Sequence, residues 1–137
     1  MADTVKFELV SPERLLFSAD VESVVVPGTE GDFGVLPGHA RLISTVRPGV
    51  ISVFQNGKVT DRIFVEGGFA EVTNTGCTVL AEHAVPVSEI SRDQAQQAIQ
   101  DAREDVEDAK DDEARKEAAK ALEVAEARLQ AVDVVVY

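Results

Sequence analysis

All nine glycines and all five prolines of this 137-residue chain lie before residue 88, and none lies after it. Glycine and proline punctuate strands and interrupt helices, so this distribution imposes two structural regimes. Residues 1–87 are expected to form short strands joined by turns, and residues 88–137 to form helices.

In the first region the apolar residues recur with a period near two, the signature of a half-buried strand. Val5, Phe7 and Leu9 alternate with Lys6 and Glu8, and the valine-rich stretch VESVVV runs from Val21 to Val26 before a turn at Pro27-Gly28. Asn56-Gly57 is the pair that a two-residue hairpin turn with positive φ demands, and apolar strands flank it on both sides. A second hairpin is expected around Thr73 to Gly76. Roughly eight to ten strands of ordinary length fit before residue 88, with no room for crossover helices. That density predicts an antiparallel β-sandwich or flattened barrel rather than a parallel sheet.

The second region has a helical period. Ala95, Ala98, Ile99, Ala102, Val106 and Ala109 share one face, with Ser91 and Gln94 spaced as a capping box at its start. Asp111, Asp112 and Glu113 interrupt the pattern and suit the N-terminus of a second helix, where free N–H groups and the dipole favour negative charge. Ala114, Ala118, Ala121, Leu122, Ala125, Leu129 and Val132 then continue it. A helical hairpin follows, its contacting faces mostly alanine. Each alanine buries little area at about 25 cal/mol per Å², so the hairpin is expected to be weakly held and a candidate moving part.

Charge and residue usage exclude several functions. The net charge of −12 repels the nucleic-acid backbone and anionic lipid surfaces. No run approaches the roughly 18 apolar residues of a membrane helix, so direct membrane insertion is not expected. Cys77 is the lone cysteine, and no signal-peptide pattern opens the sequence; a cytoplasmic setting is expected.

The segment GTEGDFGVLPGHARL, residues 28–42, concentrates four glycines and a proline around Glu30, Asp32 and His39. Its Gly-x-x-Gly-x-x-Gly spacing does not lead into a helix and no Gly-Lys-Ser/Thr element follows, which argues against a phosphate cradle. Carboxylates beside a histidine can perform acid–base chemistry, yet short acidic residues among glycines more often build turns. His39 and His83 are far apart and Cys77 has no partner at ligand spacing, so no metal site is expected; Cys77 and His83 read as strand residues. No nucleophile has a base beside it, and no catalytic residue is assigned. A shaped loop without chemistry points to binding.

The stretches VESVVVPGTEGDFGVLPGHARLISTVRPGVI and FVEGGFAEVTNTGCTVLAEHAV, followed by the alanine-rich tail, closely resemble the epsilon subunits of bacterial F-type ATP synthases, counterparts of mitochondrial delta. The likeness spans essentially the whole chain. Its most specific part is the Glu-Gly-x-x-Gly-x-x-Pro-x-His-Ala run from Glu30 to Ala40, with Pro48-Gly49 and the Gly67-Gly68-Phe69 corner.

The resemblance implies a ten-stranded β-sandwich clamped to the gamma subunit and set against the polar loops of the c-ring, followed by a regulatory helical hairpin able to reach the alpha/beta hexamer. It implies a non-catalytic rotor subunit at the cytoplasmic face of the bacterial inner membrane, peripheral through its complex. By position, Glu30, Asp32, Gly34, Leu36, His39, Leu42 and Ile43 match the family region facing the c-ring, with Asp32 in place of the commoner glutamate. Some members bind ATP on the first helix through Ile/Leu-Asp-x-x-Arg-Ala. The matching residues here are Ile90, Ser91, Arg92, Asp93, Gln94 and Ala95, which lack both charged members of that motif in place. No cofactor is therefore expected. Members that inhibit hydrolysis set basic helix residues against an acidic catalytic-subunit loop, whereas residues 88–137 carry fourteen acidic and seven basic side chains. Arg92, Asp93, Lys116, Lys120 and Arg128 remain candidate regulatory contacts, the last three on one helical row, with Asp112 spaced to pair with Lys116. The runner-up function is an interaction module of a different complex, and a small sandwich hydrolase comes third.

Overall fold

The computed structural model describes residues 4–134. It divides into two compact units, the first ending at Pro86 and the second beginning at Val87.

The first unit is a β-sandwich built from ten strands: β1 (Val5–Val10), β2 (Leu15–Val21), β3 (Ser23–Gly28), β4 (Gly31–Val35), β5 (Leu42–Val46), β6 (Gly49–Gln55), β7 (Lys58–Val65), β8 (Gly68–Val72), β9 (Gly76–Leu80) and β10 (Ala84–Pro86). They follow the order β10-β7-β6-β3-β5-β8-β9-β1-β2, with β4 paired to β3 outside this path. Alternation decides which side chains enter the core. Val5, Phe7 and Leu9 of β1 are buried, as are Val24 and Val26 of β3, Ile51 and Val53 of β6, and Val72 of β8. The rings of Phe7 and Phe17 meet at a centroid distance of 5.7 Å.

The Asn56-Gly57 turn forms as its chemistry requires. Asn56 has φ of 54° and Gly57 φ of 76°, so both central residues occupy the left-handed region, and β6 and β7 pair antiparallel on either side. The second expected hairpin joins β8 to β9, where the Thr73 hydroxyl accepts hydrogen bonds from the N–H groups of Thr75 and Gly76.

Three expectations need correction. The valine-rich stretch Val21 to Val26 belongs to two strands, because the chain bends at Glu22 between β2 and β3 and Val21 pairs with Val5 while Val24 pairs with Val53. The sheet is not wholly antiparallel, since β1 and β9 pair parallel; strands so distant in sequence need no short connection, which is what forces antiparallel pairing in a hairpin. His83 lies between β9 and β10, exposed, with its carbonyl accepting from the N–H of Glu66, whereas Cys77 is buried in β9.

In the second unit a 3₁₀ turn at Val87–Glu89 precedes α1 (Arg92–Asp108) and α2 (Asp112–Asp133). Ser91 caps α1 by accepting from the Gln94 N–H at 3.2 Å, and Asp111 caps α2 by accepting from the Ala114 N–H at 2.7 Å. The acidic break is thus a helix start. Ala95, Ile99 and Ala102 of α1 and Ala118, Ala125 and Ala131 of α2 are buried. Ala98, Ala114 and Ala121 of the expected face are instead exposed, and Ala131 replaces them as a buried position. Alanine carries too little apolar area for its periodicity to mark a face sharply.

Candidate functional site

The carboxylates of the glycine-rich loop sit on a short arm of the sheet. Pairing of Gly28 with Gly31 leaves Thr29 and Glu30 as a two-residue turn, with Glu30 exposed at its tip. Tight closure explains the glycine at 28, where a Cβ would stand 2.7 Å from the Gly31 carbonyl oxygen and 3.0 Å from the Phe33 ring. Asp32 faces Pro27 in the ladder. Its carboxylate accepts a 2.5 Å hydrogen bond from Nη2 of Arg47, so this acid has a partner within its own chain.

Val35 pairs with Val24, four residue pairs from the Glu30 turn, a separation of about 13 Å at roughly 3.3 Å per residue. Leu36 and His39 follow that far end. The N–H of His39 donates to the Leu36 carbonyl at 3.1 Å, closing the Pro37-Gly38 turn, and Nδ1 of His39 lies 2.6 Å from the Ala40 carbonyl oxygen. His39 is thus a half-buried loop organiser, not an acid–base group facing Glu30 or Asp32. Leu42 and Ile43 open β5, whose Val46 returns to Gly28, and Thr45 exchanges a hydroxyl contact of 2.6 Å with Thr29. The structure therefore ties the Glu30 turn to β5 and leaves Leu36 and His39 at the opposite end of β4. Gly34 is exposed, with nothing within 4 Å of where a Cβ would stand, so the fold itself does not demand glycine there.

A larger feature escaped the sequence reading. Register places Thr45 beside Phe69, Phe69 beside Leu80, Leu80 beside Val10 and Val10 beside Leu15, one continuous row across β5, β8, β9, β1 and β2. Phe69 is 58% exposed, Leu80 44% and Leu15 53%, and Ile43, on the same face of β5, is 71% exposed. The signal was present in sequence as broken alternation. Ala70 and Val72 take the inward positions of β8, and Cys77 and Val79 those of β9, which leaves the large apolar Phe69 and Leu80 pointing outward. Aligned across a sheet, such residues form a patch of the kind that marks a protein interface.

The hairpin candidates are rearranged too. Arg92 donates from Nε to Asp133 Oδ1 at 2.8 Å and from Nη2 to Asp133 Oδ2 at 3.2 Å, joining the first residue of α1 to the last of α2. Each charge sits at the helix end where the dipole disfavours it, and pairing offsets that mismatch. Asp112 faces Arg115 at 3.7 Å, an i,i+3 contact, rather than Lys116. Lys116 and Lys120 are exposed and Arg128 is half-buried.

The hydrogen bonds from Arg92, and to a lesser extent its charge, hold the Asp133 carboxyl below the usual carboxylate range, and the same pairing raises the Arg92 guanidinium. A depressed folded value means that the clasp contributes fully above pH about 4 and is lost as pH falls through the lower value. Acid titration of helical circular dichroism is therefore expected to show a component below pH about 4 that Asp133→Asn removes. Identical titrations for parent and variant would show that the clasp does not contribute. Elsewhere, burial pushes the Cys77 thiol up to about 12, which leaves it protonated and poorly nucleophilic at neutral pH.

Residues 4–87 match the family model described as ATP synthase, Delta/Epsilon chain, beta-sandwich domain. The chain belongs to the ATP synthase delta/epsilon family. Among relatives of this family, the ATP synthase epsilon chain of Rhodospirillum rubrum is 56% identical over 131 residues, covering 96% of this chain and 98% of that one. The epsilon chain of Maricaulis maris is 56% identical over 119 residues, covering 87% and 89%. A chain in the Euglena gracilis mitochondrial ATP synthase OSCP/F1/c-ring structure superposes with a TM-score of 0.84 at 28% identity, covering 95% of this chain and 82% of that chain. A chain of the Tetrahymena thermophila central stalk/c-ring structure has a TM-score of 0.70 at 12% identity, covering 93% and 96%, which shows a common fold. Delta/epsilon membership thus extends over both units of the chain, the helices included.

Proposed function

We propose that this chain is the non-catalytic epsilon subunit of the central rotor stalk of a proton-translocating F-type ATP synthase. The carrying observation is the outward row Phe69, Leu80, Val10 and Leu15, with Phe69, Leu80 and Leu15 exposed and Val10 half-buried, on a sandwich of the delta/epsilon family. Permanent interfaces are apolar at their centres, so this row is the gamma-facing surface. The Glu30 turn, polar and exposed, is the part that meets the polar loops of the c-ring, and Ile43 borders both. Gly34 supports the same reading, because a position with room for a side chain and none present lets a partner backbone approach closely.

The chain joins c-ring rotation to gamma and thereby to nucleotide chemistry in the alpha/beta hexamer, with no reaction of its own. It works at the cytoplasmic face of a bacterial inner membrane, held there by its complex. No helix among the described residues is long and apolar enough to cross a membrane. The hairpin is a weak regulator. Ser91 serves as a helix cap, and Arg92 is committed to Asp133, so neither is poised for a nucleotide. The surplus of acidic side chains also opposes docking on an acidic catalytic-subunit loop.

Membrane-bound ATP synthase depleted of its epsilon subunit is expected to regain proton-coupled ATP synthesis when this chain is added. A chain ending at Val87 is expected to restore coupling equally and to raise ATP hydrolysis only slightly above the full-length level. A full-length chain that folds yet fails to rejoin gamma would refute the assignment, and a many-fold rise in hydrolysis on truncation would make the hairpin a strong inhibitor.

A further inference from the structure

Arg47 follows the last residue of β5 and reaches both strands of the β3–β4 hairpin. Its N–H donates to the Pro27 carbonyl at 2.9 Å, Nη1 donates to the Gly28 carbonyl at 2.5 Å, and Nη2 donates to the Asp32 carboxylate at 2.5 Å. Gly28 lies on β3 and Asp32 on β4, immediately below the Thr29-Glu30 tip. One planar guanidinium therefore clamps the two legs of the turn to β5, the strand that carries Leu42 and Ile43. The N–H of Thr29 adds a bond to the Thr45 carbonyl at 3.1 Å on the same side.

We infer that Arg47 is a positioning residue that sets Glu30 relative to Ile43 on the docking surface, and that Asp32 is its internal counterion rather than a carboxylate offered to the partner. This rests on the rotor-docking reading. The chemistry favours arginine, because a fork with separate donors serves a carbonyl and a carboxylate at once, whereas an ammonium is a point charge on a flexible stem. Both side chains are solvent-accessible, and exposed pairs contribute little to folding. The consequence of the clamp lies in orientation. A two-residue turn tied only to its own hairpin swings as a lever; tied to β5, it presents Glu30 at a set distance from the apolar residues. Arg47 and Asp32 also cancel in charge, leaving Glu30 as the uncancelled anion of the turn.

The test uses the full-length chain and epsilon-depleted ATP synthase, with rebinding affinity measured across a range of salt. Arg47→Gln and Asp32→Ala are each expected to weaken rebinding about five-fold, within the range for side chains that share a network, and the double variant is expected to be no weaker than the poorer single. The double variant keeps the parent salt dependence because the pair is net neutral, whereas Glu30→Gln flattens it. Arg47→Lys restores only part of the loss. Losses that multiply in the double variant, or a salt dependence of the double variant as flat as that of Glu30→Gln, would show that Asp32 meets the partner and would overturn the inference. Amide hydrogen exchange of the free chain separates this failure from failure of docking. Arg47→Gln is expected to speed exchange at Thr29, whose N–H donates to Thr45, and at Gly31 about ten-fold, as loss of a local restraint does. Unchanged exchange there refutes the clamp whatever the rotor does, and parent-like binding by both Glu30→Gln and Ile43→Ala refutes the docking surface itself.

Discussion

Phe69→Ala is expected to weaken retention of the chain on the rotor about thirty-fold or more while leaving the free chain folded. The ring is mostly exposed, and its cross-strand neighbours Thr45 and Leu80 offer pair contacts of about 0.2–1 kcal/mol each, so the loss to folding stays small. Buried in an interface, the same aromatic becomes a candidate anchor, and truncating such an anchor costs about 2 kcal/mol or more, which is roughly thirty-fold in affinity. Leu80→Ala, in the same row, should act in the same direction but more weakly, because aliphatic side chains dominate interfaces less often. The measurement is rebinding to epsilon-depleted enzyme beside a urea denaturation curve of the free chain. Parent-like affinity in a folded Phe69→Ala chain would mean that the row faces solvent in the assembly. A large drop in folding stability would mean that the ring serves the sandwich.

Phe7→Ala is expected to have the opposite profile. Phe7 is fully buried on β1 and packs on Phe17, and both its neighbours in the ladder, β2 and β9, depend on the same layer of side chains. Truncating a buried phenylalanine costs about 3–5 kcal/mol through lost transfer energy and the cavity left behind. A domain of this size has about 5–15 kcal/mol of stability in total, so the melting temperature should fall by roughly 15–30 °C if folding survives. Thermal denaturation followed by circular dichroism reads this directly. A shift of only a few degrees would place the centre of the core elsewhere than β1.

The two substitutions differ because phase, not hydrophobicity, decides their roles. Phe7 is in step with Val5 and Leu9, and Phe69 is out of step with Ala70 and Val72. Both facts are visible in sequence once the strands are bounded. The alignment of Phe69 and Leu80 with Val10 and Leu15 is not visible, because the β8–β9 and β1–β2 hairpins become neighbours only through the parallel pairing of β9 with the distant β1. The glycine-rich loop divides in the same way. Its turns were legible from glycine and proline, and the exposure of Glu30, Leu36 and Ile43 agrees with residues that do not complete a core. The partner of Asp32 was not legible, since Arg47 stands fifteen residues away and reaches it only after β5 has paired beside β3.

The sequence by itself determined the division near residue 88, the Asn56-Gly57 hairpin, the helix starts at Ser91 and Asp111, and the inward residues of β1. Each depends on chemistry within a few residues: a positive φ that asparagine and glycine tolerate, a side-chain oxygen beside a free N–H, an alternation of period two. Tertiary structure alone decided the parallel pairing of β1 with β9, the apolar row on the outer sheet face, the Arg47 clamp and the Arg92–Asp133 clasp. Arg47 and Asp32 stand fifteen positions apart, Arg92 and Asp133 forty-one, and Val10 and Leu80, the link that joins the two halves of the row, seventy; which of many compatible partners meet is settled only when the whole core closes around one register.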